Sequence, residues 1–272
     1  NINFELFDMY WIDSHCHLKA FHDKGEIENV LNRAFENNVH KLISVGTHFE
    51  DWSLYQQLST HYSNKIYYSV GIHPCYVNED WLDQAVKIES FWSDQVKPCA
   101  LGEIGLDYFR LPKDIDKSNR IRSLQKECFS YQLRLASRLD CPIIIHSRNA
   151  FSDCLSIIDD NELDWSKVVF HCFSEQTEEL KEIKSRGGFA SFTALAFYDR
   201  NQNIRSALKM QGLDRLMLET DSPYLPFVKG SKKVNEPKTI PMIGESISQL
   251  FGVSSHEIMK NSCELTEAFF NL

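Results

Sequence analysis

The chain has 272 residues, 43% of them hydrophobic and 25% charged, which excludes fibrous and disordered classes and leaves ample length for a full core. Its net charge is −9 with the ten histidines neutral, the wrong sign for a protein that coats nucleic acid by neutralising phosphates. A local cationic site is still compatible with that balance.

The first residues, Asn1 to Leu18, lack the cationic start, apolar run and cleavage site of a signal peptide. Met9 would serve as a start, which makes residues 1–8 readable as an N-terminal extension. Short β-branched runs then recur along the chain: Tyr10–His15, Lys41–Gly46, Ile66–Gly71 and Cys99–Ile104 in the first half. Pro142–His146, Val168–Phe173, Phe189–Phe192 and Leu216–Asp221 follow in the second. Segments of helical period separate them, for example Ile27, Val30, Leu31, Ala34 and Phe35, or Leu124, Cys128, Phe129, Leu133 and Leu135.

Near-continuous apolar strands alternating with helices suit a parallel sheet covered on both faces. Eight such units in roughly 250 residues predict an α/β fold of the TIM (β/α)8 type. A doubly wound open sheet is the alternative, but no G-x-G-x-x-G follows the first strand. No linker or low-complexity segment divides the chain, so one domain over 1–272 is expected. The eight cysteines form no C-x-x-C pair, and several sit in apolar runs, which reads as reduced thiols in a cytoplasmic protein. No apolar stretch is long enough to span a bilayer.

The ionisable residues fall at one recurring place. His15, His17, His73, His146 and His171 all sit at the carboxyl ends of predicted strands, and so do Glu103 and Asp221. In a (β/α)8 barrel those ends converge on one face. Asp13, His15 and His17 are spaced by two, so along a strand they point the same way. Two imidazoles at i and i+2, two more on separate strands and two carboxylates would form a costly polar cluster unless they held metal. Glu103 could bridge two ions, one oxygen to each, or instead pair with Arg110. Asp221 could ligate an ion and accept a proton from water, and could also be an N-cap before Pro223.

His73, before Pro74, could touch a substrate oxygen or a ligand, or be a turn histidine. Arg148 suits a forked grip on phosphate, with an ion pair to Asp153 as the plain alternative. The basic run Lys229–Lys233 follows the Asp221 strand and would lie beside the site, either to receive a phosphate backbone or as a solvated loop. His22, His40, His48, His61 and His256 are assigned no role. Phenylalanines and tyrosines along the helices read as core.

Six motifs resemble those of the TatD-type metal-dependent deoxyribonucleases. They are Asp13-Ser-His-Cys-His-Leu18, Gly71-Ile-His-Pro74, Gly102-Glu-Ile-Gly-Leu-Asp-Tyr108, Ile145-His-Ser-Arg148, Phe170-His-Cys-Phe-Ser174 and Glu219-Thr-Asp-Ser-Pro-Tyr-Leu225. Asn235-Glu-Pro237 also fits. The resemblance spans nearly the whole chain in order and implies a barrel of the amidohydrolase-like metal-dependent hydrolase superfamily. It puts His15, His17, Glu103, His146, His171 and Asp221 at the metal-ligand positions, with Glu103 where many relatives use a modified lysine. Glu175 stands where the family often has glycine, a departure at the mouth of the barrel.

The activity so implied is Mg-dependent cleavage of DNA, including 3′-to-5′ exonuclease action on ends or single strands. His15, His17, Glu103 and Asp221 would hold one divalent ion, and Glu103, His146 and His171 the other, with Asp221 as general base. Mg, Mn and Zn are all candidates, although imidazole-rich donors suit Zn or Mn better than Mg. The same centre could hydrolyse a carbonyl bond, in a cyclic amide, a lactone or an aminoacyl-tRNA ester. A non-catalytic metal-binding barrel is the remote third reading. No helix-turn-helix or zinc-finger signature suggests sequence-specific recognition, and a monomer is expected.

Overall fold

A computed structural model describes residues 9–272, so the expected extension at 1–8 lies outside the described residues. Eight parallel strands run in chain order around one sheet: β1 (Trp11–Cys16), β2 (Val39–Ser44), β3 (Ile66–Val70), β4 (Ala100–Asp107), β5 (Ile143–Arg148), β6 (Val168–Phe170), β7 (Phe189–Phe192) and β8 (Met217–Leu218). The seam between β8 and β1 is closed beyond the end of β8. Asp221 N–H donates to the His15 carbonyl at 2.9 Å, and His17 N–H to the Ser222 carbonyl at 2.8 Å. The expected TIM barrel is the observed fold.

Helices alternate with the strands and cover the ring: α1 (Lys19–His22), α2 (Ile27–Glu36), α3 (Phe49–His61), α4 (Trp81–Ala85), α5 (Ser90–Ser93), α6 (Ile115–Leu139), α7 (Phe151–Asp160), α8 (Thr177–Arg186), α9 (Gln202–Gln211), α10 (Ile240–Phe251) and α11 (Ser255–Phe270). Among the described residues no helix is long and apolar enough to cross a membrane. The helical aromatics Trp52, Tyr55, Phe91 and Phe129 are buried, as their periodicity predicts.

Inside the ring the layers change character along the axis. Ile43, Ala100, Ile144, Val169 and Met217 form an apolar cluster that the C-terminal helix meets with Phe270. A polar layer follows, in which Ser69 Oγ donates to the Gly102 carbonyl at 2.6 Å and Ser191 Oγ to Glu219 at 2.7 Å. The imidazoles lie beyond it. An apolar plug at one end and a satisfied polar layer above it leave the carboxyl ends of the strands as the reactive face.

Two strands are shorter than their apolar runs. β6 stops at Phe170 because Cys172 adopts a positive φ of 46° and turns the chain away, although His171 N–H still donates to the Ile145 carbonyl at 3.0 Å. β8 stops at Leu218, although Glu219 N–H still donates to the Phe192 carbonyl at 3.1 Å, and the chain then turns into the site. Thr220 N–H and Oγ donate to the buried Asp13 carboxylate at 2.9 and 2.6 Å, and Asp221 has a positive φ of 53°. Asp13 therefore ties β1 to the segment after β8, and its period-of-two relation to His15 puts it below the imidazoles.

Candidate metal centre

Glu103 is the hub. It lies inside fully buried β4, and its two carboxylate oxygens serve different sets of rings. Oε2 faces His15 Nε2 at 3.4 Å and His17 Nε2 at 3.7 Å. Oε1 faces His146 Nδ1 at 2.7 Å, His171 Nε2 at 2.8 Å and His73 Nε2 at 3.3 Å. Asp221 Oδ1 stands on the first side, 3.3 Å from His17 Nε2 and 3.8 Å from His15 Nε2. The structure thus brings together His15, His17, Glu103, His146, His171 and Asp221, and adds His73.

Ring nitrogens crowd one another here. His15 Nε2 and His17 Nε2 are 3.2 Å apart, and His146 Nδ1 and His171 Nε2 are 3.3 Å apart. Five imidazoles and two carboxylates cannot all satisfy one another, because each neutral ring carries one donor and one acceptor. Convergent nitrogen lone pairs beside carboxylate oxygens are what a divalent cation requires. Three sets have ligand atoms close enough for one ion: His15, His171 and Asp221; His15, His17 and Glu103; and His73, Glu103 and His146.

Charge inside the cluster follows from burial and proximity. Burial pushes the Glu103 carboxyl up, but the charges of His171 and His73 and the bonds from His146 and His15 outweigh it and hold it well below the usual range. Asp221 is likewise lowered, burial being outweighed by the His17 hydrogen bond and the charges of His17, His15 and His171. Burial and the neighbouring His171 charge depress His15. Burial also dominates at His73, which is held down to about 4. At His171 burial is outweighed by Glu103 and Glu219, so its pKa is raised well above the usual value. His17 and His146 are raised too, through Asp221 and through Asp107 with Glu103 respectively.

Two carboxylates escaped the motif reading. Glu219 lies below His15 and His171, with its oxygens 3.9 and 3.5 Å from their Nδ1 atoms, neither contact closing to a hydrogen bond. It is fixed by the Cys172 N–H at 2.6 Å and Ser191 Oγ at 2.7 Å. Asp107 Oδ2 meets His146 Nε2 at 3.3 Å, while its Oδ1 accepts from the N–H groups of Phe109 and Arg110. Burial pushes the Asp107 carboxyl up, but His146 and the backbone donors prevail and hold it at about 2. Asp107 bonds the far nitrogen of His146 and Glu219 faces the far nitrogens of His15 and His171, the places where carboxylates usually stand behind ligating histidines. The signal was present: Glu219 precedes Asp221 by two, and Asp107 follows Glu103 by four on one strand.

Several alternatives are settled by placement. Arg110 lies 4.0 Å from Asp107 and makes no pair with Glu103. No helix starts after Asp221; its carbonyl accepts the Tyr224 N–H in a turn, so its carboxylate faces the histidines. His73 does belong to a turn, its Nδ1 accepting the Cys75 N–H at 3.0 Å, yet its Nε2 reaches Glu103. Arg148, the last residue of β5, is exposed and stacks on the Phe109 ring 3.9 Å from its centre. Asp153 pairs with Lys126 instead. The Lys229–Lys233 run lies in the long loop after β8, and none of the five histidines left without a role enters the cluster.

The family whose description is TatD related DNase matches residues 12–271. The chain belongs to that family. This TatD-family chain is 28% identical to the metal-dependent hydrolase YcfH of Escherichia coli K12 over 97% of both chains. It is 30% identical to the metal-dependent hydrolase MJ1582 of Methanocaldococcus jannaschii, over 94% of this chain and 97% of the other. Among solved structures, the TatD homologue YjjV of Escherichia coli K12 superposes with a TM-score of 0.85 at 26% identity, covering 96% of this chain and 98% of that one. The protein is a metal-dependent hydrolase of the TatD family, with His, Glu and Asp clusters able to hold metal.

Neutralising Glu219 tests its positioning role. Glu219→Gln is expected to weaken metal binding about 10–100-fold while the barrel still folds, measured by competition with a chromogenic chelator. Unchanged affinity would leave Glu219 a purely structural group under the rings.

Proposed function

We propose that the protein hydrolyses phosphodiester bonds of DNA at strand ends or in single strands, as a 3′-to-5′ exonuclease working with two divalent ions. The observation that carries this reading is the division of the Glu103 oxygens between His15 and His17 on one side and His146 and His171 on the other. A carboxylate so divided suits two neighbouring cations, one bound by His15, His17, Glu103 and Asp221 and the other by Glu103, His146 and His171. When bound, such a pair acidifies a water and offsets negative charge on phosphate. The family description and an acidic protein whose mouth carries Arg110, Arg148 and Lys229–Lys233 support a nucleic-acid substrate.

The chain's own groups then divide the work. The Asp221 carboxylate, kept ionised by the histidines around it, accepts the proton from the attacking water at Oδ1 or Oδ2. Glu219 and Asp107 hold the His15, His171 and His146 rings in orientation. His73, with its pKa held at about 4, is neutral at pH 7, and because its Nδ1 accepts from Cys75 it offers its Nε2–H towards Glu103. Imidazole-rich donors would favour Zn or Mn as residents over Mg, which prefers oxygen ligands and its own waters.

The test compares substrates on one preparation. Protein loaded with Mn is expected to cleave a single-stranded oligonucleotide while leaving a dihydropyrimidine and a lactone intact. Hydrolysis of the carbonyl substrates with the oligonucleotide untouched would transfer the site to amide or ester chemistry.

Metal uptake carries a pH dependence of predictable sign. His17, His146 and His171 hold raised pKa values in the metal-free chain, so they keep their protons to higher pH than ordinary imidazoles do. These interactions stabilise the metal-free fold below the ordinary histidine pKa and are lost as pH rises through the raised values. Ions must displace the same protons, so affinity should rise with pH over that interval. Calorimetry in buffers of different ionisation enthalpy should show protons released on binding, and pH-independent affinity would contradict the assignment.

A further inference from the structure

Two exposed rings stand on opposite rims of the barrel mouth. In a ring ordered β1 to β8, the loops that follow β4 and β8 face each other across the axis. Phe109 lies two residues beyond β4 and Tyr224 on the loop after β8, and they are 59% and 60% exposed. Large apolar rings so exposed contribute little to the core, and each is linked to a different side of the cluster. The Tyr224 ring stands edge-on to His17, with centroids 5.9 Å apart. The Phe109 N–H donates to Asp107 at 3.0 Å, and Asp107 in turn meets His146 at 3.3 Å.

Cations accompany both rings. Arg148 stacks on Phe109 at 3.9 Å from the ring centre, with Arg110 next in sequence. Lys229, Lys232 and Lys233 share the loop of Tyr224. Rings for unpaired bases, flanked by cations for phosphates, make up the general surface for single-stranded nucleic acid. A duplex hides its bases in the stack, and a small cyclic amide carries no phosphate for the flanking cations. Charge complementarity therefore favours a polyanion whose bases are free.

We propose that Phe109, backed by Arg148, and Tyr224 are two base-stacking platforms that grip the nucleotides on either side of the bond to be cleaved. Specificity then comes from a base on each side of that bond rather than from its sequence, since every base has a face to stack. This rests on the phosphodiester reading above.

A cycle of protein and substrate changes tests it. The substrates are a short oligothymidylate and two versions in which one or the other nucleotide flanking the 3′-terminal bond carries an abasic tetrahydrofuran. With wild-type protein and Mn, each lost base is expected to lower kcat/KM about 10-fold, a typical stacking contribution. In Phe109→Ala, one of those two losses should vanish; in Tyr224→Ala, the other should vanish, and Tyr224→Phe should restore it. Binding of the same strands to Asp221→Asn protein, followed by fluorescence anisotropy, should show the same crossed pattern in Kd.

If each ring variant lost the same factor on base-bearing and abasic strands, the platforms would be refuted. If wild type cut base-bearing and abasic strands equally, the platforms would fall while the nuclease reading stood. Wild-type protein that cut no strand at all would overturn the nuclease reading, and the platforms with it.

Discussion

If the proposed two-ion centre is right, replacing Glu103 with alanine is expected to abolish hydrolysis and to remove binding of both ions. Its Oε1 lies within 3.3 Å of three imidazoles, and its Oε2 within 3.7 Å of two more. Asp221 faces His15 and His17, while His171 stands against Glu103 Oε1 and also in a set with His15 and Asp221, so Glu103 is the donor that presents a separate oxygen to each pair of rings. Losing Glu103 removes a ligand from both sets at once. Two ions supply several kcal/mol of charge stabilisation to a phosphoryl transition state, so the loss in kcat/KM should be on the order of 1,000-fold or more. Metal analysis by atomic emission and kinetics on the same preparation check it. Two ions retained per chain would contradict the bridging role.

Gly105→Ala is expected to destabilise the fold by several kcal/mol and to perturb the site through the backbone. Gly105 has φ of +141°, where a side chain is strained, and a Cβ there would stand 2.0 Å from the His146 carbonyl oxygen. Backbone cannot move aside as a flexible side chain does. β4 pairs with β5 at this point, Gly105 opposite His146, so the strands would have to part between Glu103 and His146. Substitutions that combine a forbidden φ with a core clash belong to the tail of destabilisation beyond about 4 kcal/mol. Denaturant unfolding measures this directly, and a shift under about 1 kcal/mol would mean β4 and β5 yield more readily than their pairing suggests.

The architecture was legible because its signals are local and repeated. Each β-branched run such as Lys41–Gly46 or Pro142–His146 announces a buried strand, and eight of them in order leave few arrangements. Convergence of His15, His17, Glu103, His146, His171 and Asp221 followed from the topology, since strand ends of a barrel meet on one face. Residues acting through neighbours were harder to see. Glu219 and Asp107 read as extra acids within motifs until the structure placed them under the far nitrogens of His15, His171 and His146. Arg148 illustrates the limit of loop reading, for nothing in the spacing revealed that Phe109 would fold back beneath its guanidinium. Phe109 and Tyr224 are exposed, unlike Tyr55, Phe91 and Phe129 on the helices, although Phe49 at the start of α3 is exposed too.

The central claim, that two ions held across Glu103 cleave DNA from its 3′ end, is tested most directly by digestion of an end-labelled single strand with Mg or Mn. Wild type, Glu103→Ala and Asp221→Ala would be purified identically and compared. The account predicts stepwise shortening from the 3′ end by wild type and an intact strand with both variants. A strand left whole by wild type with either metal would contradict it, and shortening that survived both substitutions would place the activity elsewhere.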